Sequence, residues 1–368
     1  MTVLLSGATG FVGMELLARY LERTDRDVIA LIRARDDAAA RERLGNVLSN
    51  LFGWRARAYA HRVEAVAADL VSPRLGISER RHDDLARRAD TIVHSAASVS
   101  FALPLAEARA INLEGTRRML ELAERAQALG GLERYAHIST AYVAGTHEGR
   151  FAECDLDVGQ RFRNSYEQSK FEAERLVRSW ADIPFTILRP SIVVGDRRCG
   201  WTAAFNVLYW PLRAFSRGLF STVPAVPSAP VDVVSIDYVA DAIHELCESP
   251  GGLGETYHLT AGARASTIAE IARAASSYFR RPEPAVLPPR EFAALEAVRG
   301  GSAIEGSSVY FPYFSVGTLF DDAATRARLE PVGIQVTPLG DYLDRLLDFA
   351  TRSRWGKRPI ARAEAFAT

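Results

Sequence analysis

The chain carries one pair of side chains well suited to moving a proton, Tyr166 and Lys170 in the run Tyr166-Glu167-Gln168-Ser169-Lys170. Four positions apart on a helix, they share a face and point into the same cleft. A phenol near its usual pKa of about 10 is a poor acid or base at neutral pH. A neighbouring ammonium favours the phenolate and brings that value toward the useful range. A tyrosine four before a lysine is common by chance. The pair gains weight from Ser139-Thr140, at the C-terminal end of an apolar strand, where ligands bind in parallel sheets. The Thr140 hydroxyl can donate to a carbonyl oxygen from the other side of the cleft, or it can simply satisfy backbone groups at the strand end.

A second constellation opens the chain. Val3-Leu4-Leu5 reads as a buried strand that breaks into Ser6-Gly7-Ala8-Thr9-Gly10-Phe11-Val12-Gly13 and then into Met14 to Leu21, with helical apolar spacing. A strand turning through glycines into a helix start makes a phosphate site, because unpaired N–H groups and the positive end of the dipole face a backbone with no side chains in the way. The spacing is G-x-x-G-x-x-G rather than the G-x-G-x-x-G dinucleotide fingerprint. Gly7, Thr9, Gly10, Phe11, Val12 and Gly13 are the expected cofactor contacts. At the end of the second strand, where a carboxylate would bind the ribose of NAD, stand Arg33, Arg35 and, in the next element, Arg43. Arginines there suit the 2′-phosphate of NADPH, although an arginine-rich solvated segment is the alternative. Asp69-Leu70 is expected near the adenine, or is simply an aspartate closing a strand.

The elements that must position these groups alternate. Strands are expected at Asp27–Ile32, Val63–Leu70, Thr91–Ala97, Tyr135–Thr140 and Phe185–Pro190, with helices over Asp37–Leu51, Leu105–Leu129 and Ser165–Trp180. That alternation predicts an α/β fold with a doubly wound parallel sheet. The pattern changes near Gly195. Residues 201–220 form an apolar, aromatic block (Trp201, Phe205, Leu208, Tyr209, Trp210, Leu212, Phe215, Phe220), either ordinary packing or the apolar wall of a substrate tunnel. Val231–Val234 and a helix over Asp237–Cys247 look like a return to the sheet. A short strand at Thr256–Leu259, helices over Thr267–Tyr278 and Leu339–Phe349, and a basic tail over Arg352–Arg362 follow. The expected division is a nucleotide-binding domain over 1–197 and 230–262, a smaller, discontinuous and mainly helical cap over 198–229 and 263–350, and a tail over 351–368. A solvated terminus is the expected state of that tail, with a protein contact as the alternative.

Composition narrows the partners. Lys plus Arg and Asp plus Glu both number 45, so no charge excess points to nucleic acid or an anionic membrane. Cys154, Cys199 and Cys247 are widely spaced without a metal pattern and read as the reduced thiols of a cytoplasmic protein. The block from Trp201 to Phe220 is broken by Asn206, Pro211, Arg213 and Arg217, which argues against a spanning helix, and no signal peptide is expected ahead of a strand that starts so early. His94 closes a buried strand and is either structural or a polarising group near the cofactor. His137 is expected in the core.

Taken together, the Gly7/Gly10/Gly13 loop, His94-Ser95-Ala96-Ala97, Asn112-Leu113-Glu114-Gly115-Thr116, Ser139-Thr140, Tyr166/Lys170 and Leu188-Arg189-Pro190 occur in the order of the extended short-chain dehydrogenase/reductases. The chain resembles that Rossmann-type superfamily over about residues 1–260. Ile138-Ser139-Thr140-Ala141-Tyr142-Val143, Asn164-Ser165-Tyr166 and the Arg33 strand end resemble its thioester-reductase and fatty acyl reductase branch. The resemblance implies a catalytic set of Thr140, Tyr166 and Lys170, an Asn112 that supports the lysine side, Ser95 and Ala96 against the cofactor, and Pro190, Ile192 and Val193 in the loop over the nicotinamide. Tyr142 and Phe205 are the expected substrate-lining side chains. It implies an NADPH-dependent reduction of an acyl thioester, brought by an acyl or peptidyl carrier protein or as a coenzyme A ester, to the aldehyde or on to the alcohol. The alternatives are a dehydrogenase, epimerase or carbonyl reductase acting on another small substrate, and a nucleotide-sensing protein without turnover. The residues from 281 onward carry no recognised motif, and the oligomeric state is not legible.

Overall fold

The computed structural model describes residues 1–180, 182–205, 207–219, 221–292 and 313–367. Asn206, Phe220 and part of the expected cap lie outside the described residues. Seven parallel strands form the central sheet: β1 (Thr2–Ser6), β2 (Asp27–Ile32), β3 (Val63–Ala67), β4 (Thr91–His94), β5 (Arg134–Ile138), β6 (Phe185–Pro190) and β7 (Thr256–Leu259). Their order is β7-β6-β5-β4-β1-β2-β3, in register as Leu4 with Ile29 and Ile92, and His137 with Ile187. The order reverses between β1 and β4, and the crevice outside the strand ends at such a reversal is where ligands bind.

The apolar runs follow from burial on both faces. Val3 and Leu5 face Leu16 and Leu17 of α1 (Phe11–Arg23), together with Val239 and Ile243 of a later helix, Ile236–Glu248. Leu4 faces the opposite way, into a core with Leu85, Met119 and Leu120. The expected helix over Leu105–Leu129 is present with one irregularity: Leu105–Arg109 and Gly115–Leu129 are joined by a π turn at Ala110–Glu114. That turn carries Asn112.

Several boundaries differ from expectation. β3 stops at Ala67, because Asp69 turns the chain, its carboxylate accepting from Ser72 Oγ at 2.8 Å. β4 and β5 end at His94 and Ile138, which leaves Ser95 and Ala96, and Ser139 and Thr140, in the loops at the sheet edge. Val233–Ser235 pairs with Ile192–Val194 in a separate parallel ribbon rather than joining the main sheet, and the seventh position goes to β7.

A third apolar core lies beyond the strand ends. It joins Tyr142, Phe151, Phe171 and Ile192 to Leu208, Leu212 and Phe215 of the post-195 segment, to Tyr313 and Phe314, and to Leu343 and Leu346. Gly149–Phe151 pairs with Thr318–Phe320, so late chain segments are hydrogen-bonded to the loop that follows β5. The aromatic block yields only one short helix among the described residues, Tyr209–Ser216. Among those residues no helix is long and apolar enough to cross a membrane.

The tail is not a solvated terminus throughout. Arg362 is buried and pairs with the buried Glu15 of α1 at 2.6 Å, and Trp201 Nε1 donates to Ile360 O at 3.2 Å. Trp201, Phe349 and Ala365 form a small core with Phe11. An apolar patch on α1 and a buried carboxylate outweigh the hydration of a single arginine, so this part of the segment docks.

Candidate active site

The glycine loop has the shape a dinucleotide pyrophosphate needs. Gly7 has φ of +80°, and a Cβ there would stand 2.7 Å from Ala96 N, while a Cβ on Gly13 would stand 2.0 Å from Gly7 O. Gly7 therefore makes the turn and the approach to the β4 loop, and Gly13 lets α1 pack down on it. Gly10 is exposed, and no side chain caps the start of α1, so the first N–H groups of the helix face outward. Phe11, although in this loop, turns its ring to Trp201 at 5.7 Å. Arg33, at the end of β2, is exposed and makes no ion pair among the described residues, and Arg43 donates to its carbonyl oxygen. Asp69 is used by its own turn, its second oxygen accepting from Val71 N at 3.3 Å, and Leu70 packs against Gly115.

A hydrogen-bond chain fixes the loop after β4. Ala96 N–H donates to Ser6 Oγ at 3.3 Å, the Ser6 hydroxyl donates to His94 Nδ1 at 2.8 Å, and His94 Nε2–H donates to Thr116 Oγ1 at 3.1 Å. Thr116 in turn donates to Asn112 O at 2.7 Å, a direction that requires the His94 proton on Nε2. Burial and the Lys170 charge push His94 down to about 3, so it is neutral and positions the loop. Asn112 Oδ1 accepts from Ser98 N at 2.8 Å, and its Nδ2 donates to Ser169 Oγ at 2.9 Å. It thus ties the loop to the helix Ser165–Ser179, one residue from Lys170. His137 is buried in the core, as expected, its ring stacked at 6.4 Å on Tyr135.

Thr140, Tyr166 and Lys170 come together. Thr140 Oγ1 donates to Pro190 O at 3.4 Å and accepts from Tyr142 N at 3.3 Å. Lys170 is 3% exposed, and its Nζ donates to Ile138 O at 2.7 Å, the last carbonyl of β5. Burial lowers Lys170 to about 8 against the support of Glu174. The expected effect on the tyrosine is reversed, because burial pushes Tyr166 up to about 12 and the ammonium is turned to the strand end. At neutral pH the phenol keeps its proton, the form a proton donor requires.

What holds this group in place was largely invisible in the sequence. Glu174 is fully buried, accepting from Arg189 at 2.6 and 3.0 Å, from Ser139 Oγ at 2.7 Å and from Arg178 at 3.1 Å. The Arg189 guanidinium holds its carboxyl below the usual range despite burial. This joins β6, the strand end before Thr140 and the helix that carries Tyr166 and Lys170 into one unit. At the helix start, Asn164 Oδ1 caps Glu167 N, Tyr313 Oη donates to Glu167 Oε1 at 2.7 Å, and Asn164 Nδ2 donates to Tyr313 Oη at 2.7 Å. The Tyr313 ring lies 5.2 Å from Phe101 and 5.0 Å from Tyr142, and Phe101 lies 5.7 Å from Tyr166. Glu174, eight positions after Tyr166 on one helix, was within reach of spacing arguments; Tyr313 had no sequence signal.

Other expected residues fall at varied distances from this group. Pro190 ends β6 with its carbonyl 3.4 Å from Thr140 Oγ1, and Ile192 and Val193 run on in the ribbon with Val233–Ser235. The buried Asp232 accepts from Ala261 N and Gly262 N at 2.8 and 2.9 Å, bracing that ribbon against the end of β7. Tyr142 is nearly buried against Tyr313 and Phe320. Phe205 packs on Tyr209 and Phe349 at 5.1 and 6.3 Å, and its described ring contacts do not include Tyr166. Among the described residues no cluster of His, Cys, Asp or Glu could hold a metal ion.

Comparison with known proteins agrees with this geometry. The family described as male sterility protein, of the NAD-binding class, matches residues 5–243. An isonitrile lipopeptide synthase from Streptomyces coeruleorubidus is 37% identical over 214 residues, 58% of this chain and 14% of that protein. A linear gramicidin synthase polypeptide from Brevibacillus parabrevis is 32% identical over 264 residues, 70% of this chain and 5% of that protein. The chain thus spans a small part of these much longer relatives. The crystal structure of the terminal R domain from the myxalamid PKS-NRPS biosynthetic pathway superposes with a TM-score of 0.84 at 27% identity, over 98% of this chain and 92% of that one. On these matches the chain belongs to the male sterility-type family of NAD-binding proteins, the reductase branch of the extended short-chain dehydrogenase/reductases.

Proposed function

We propose that the chain is an NADPH-dependent reductase of acyl thioesters, and the observation that carries the reading is the buried Lys170, on the helix face it shares with Tyr166, bonded to Ile138 O at the strand end that leads into Thr140. A bound reduced nicotinamide supplies the hydride. Thr140 and Tyr166 hold the thioester carbonyl oxygen, and donors preorganised on a developing oxyanion contribute most of such a rate enhancement. Tyr166 gives its proton to that oxygen, yielding a thiohemiacetal, which expels the thiol and leaves an aldehyde. Lys170, bonded to the last carbonyl of β5, and Asn112 and Glu174 keep the helix that carries Tyr166 in register with the strand ends.

The preference for NADPH rests on Arg33, an exposed guanidinium at the ribose end of the site with no ion-pair partner among the described residues. The preference for a thioester rests on the relatives, which are an isonitrile lipopeptide synthase and a terminal R domain. Delivery by an acyl or peptidyl carrier protein, or as a coenzyme A ester, follows from the same likeness. In this reading residues 1–197 and 230–262 bind the nucleotide, and 198–229 with 263–350 cover the acyl group.

The test follows NADPH oxidation and thiol release together on acyl-pantetheine and acyl-coenzyme A esters. Matched consumption and release are expected, and Tyr166→Phe is expected to lower turnover about 10²-fold or more with NADPH binding retained. Turnover of free aldehydes but of no thioester would replace this reading with that of a general carbonyl reductase.

A further inference from the structure

Tyr166 is the second residue of its helix, Ser165–Ser179, and so lies in the turn that is held least firmly by the helix itself. The first N–H groups of a helix have no partners within it, and helix ends fray. A phenol that must meet one carbonyl oxygen needs its position fixed to about 0.5 Å. Side chains on either side of Tyr166 supply the hold. Asn164 Oδ1 accepts from Glu167 N at 3.0 Å, Ser165 Oγ donates to Leu103 O at 2.6 Å, and Glu167 Oε2 accepts from Arg163 N at 2.8 Å.

Glu167 is fully buried, so its carboxylate is costly wherever a lone pair lacks a donor. The Tyr313 hydroxyl donates to Glu167 Oε1 at 2.7 Å and accepts from Asn164 Nδ2 at 2.7 Å, so one hydroxyl joins both capping side chains. Burial and the Glu167 charge push the Tyr313 phenol far above its usual range, and it stays a donor. Its ring stacks on Phe101 at 5.2 Å, and Phe101 in turn lies 5.7 Å from the Tyr166 ring. Tyr313 thus reaches Tyr166 by two routes, through the residues that flank it in the helix and through Phe101. Tyr313 is itself anchored elsewhere. Its ring meets Tyr142 edge-on at 5.0 Å, and shortly after it Thr318–Phe320 pairs with Gly149–Phe151.

We propose that Tyr313 is a positioning residue for the reaction, fixing the Tyr166 phenol through Asn164, Glu167 and Phe101 from a late segment of the chain. This rests on the reading of Tyr166 as the proton donor and adds to it the group that sets its aim. A hydroxyl that only satisfied a buried carboxylate would matter to stability alone, whereas one that aims Tyr166 matters to turnover. Tyr313 is 3% exposed, so losing its hydroxyl removes no substrate contact and the effect falls on kcat rather than KM.

The experiment follows NADPH oxidation by the full chain, wild type against Tyr313→Phe, on butyryl-pantetheine and in parallel on butanal. Under conditions where urea unfolding shows both proteins folded, kcat is expected to fall about tenfold or more, since small misplacements of a reacting group are that costly. KM and the dissociation constant of NADPH are expected to stay within about twofold. An unchanged kcat overturns the proposal, as does a rise in KM at constant kcat or a matching loss of NADPH affinity. Should Tyr313→Phe not fold, Asn164→Ser replaces it, keeping an N-cap acceptor and removing only the donor to Tyr313 Oη. Its kcat is then expected to fall about threefold, and an unchanged kcat overturns the proposal. Amide hydrogen exchange at residues 163–170, read by mass spectrometry without substrate, tests the hold on the helix start apart from turnover. Exchange there is expected to be at least about fivefold faster in Tyr313→Phe, with Gly115–Leu129 unchanged. If the wild type consumes neither substrate, the reductase reading fails, while faster exchange confined to the helix start still supports the positioning role. Unchanged exchange there overturns it whether or not turnover falls.

Discussion

Lys170 is a charge held where the fold would be more stable without it, and the cost can be measured. Burial lowers its pKa from 10.5 to about 8, and at about 1.4 kcal/mol per unit the charged form is disfavoured by about 3 kcal/mol. Because the folded value lies below the unfolded one, the unfolded chain holds the extra proton between about pH 8 and 10.5, and this penalty is relieved as pH rises through that window. Relative to Lys170→Met, the wild type should gain about 2–3 kcal/mol of stability between pH 7 and pH 10. Loss of the bond from Nζ to Ile138 O costs the variant about 1–3 kcal/mol at every pH and does not enter this difference. Nearby groups leave the window clear: His94 is neutral at about 3, the His137 imidazole is held well below its usual range by burial, and Glu174 is an ionised carboxylate throughout. Urea unfolding of both proteins without nucleotide, near pH 7, 8.5 and 10, gives the difference directly, with other titrating groups cancelling. A wild-type-minus-variant difference that stays constant across that range would refute the claim that the lysine is held in a desolvated site.

Three further outcomes follow from named contacts. Arg33→Ala should weaken NADPH binding about tenfold or more, from the loss of a charge-assisted bond to the 2′-phosphate, with NADH binding within about twofold, as read by fluorescence titration. Arg189→Met strands the buried Glu174 carboxylate and should lower stability by about 3–5 kcal/mol in urea unfolding, whereas a surface pair such as Arg88 with Asp84 should cost less than about 1 kcal/mol. Tyr313→Phe removes a donor from the buried Glu167 and should cost about 1–3 kcal/mol, with a non-additive double-mutant cycle against Asn164→Ala, since both side chains meet at one hydroxyl.

Much of the fold was legible because parallel sheets impose a simple rule. Strands covered on both faces must be apolar throughout, and crossover helices must separate them, so β1, β2 and the helix Ser165–Ser179 were expected close to where they lie. The glycine loop was legible for a steric reason: contacts of 2.7 and 2.0 Å at added Cβ atoms leave Gly7 and Gly13 no substitute. Thr140, Tyr166 and Lys170 were legible because a strand end and one helix face suffice to bring them together.

Other features belong to tertiary structure alone. Whether Lys170 lowers the tyrosine or turns to a strand carbonyl depends on the geometry of Ile138 O, which no local pattern encodes, and burial then raises Tyr166 instead. His94 acquires its role from Ser6 and Thr116, 88 and 22 positions away in the chain. Tyr313 reaches Glu167 across 146 positions, from a stretch without motif. Arg362 reads as part of a basic tail, yet it is buried beside Glu15 because α1 presents a desolvated carboxylate that only the fold creates. Local sequence determines which backbone geometries and helix faces are available at this site. The protonation state of Tyr166 and the rigidity of its support come from burial and long-range contacts, which exist only once the chain has folded.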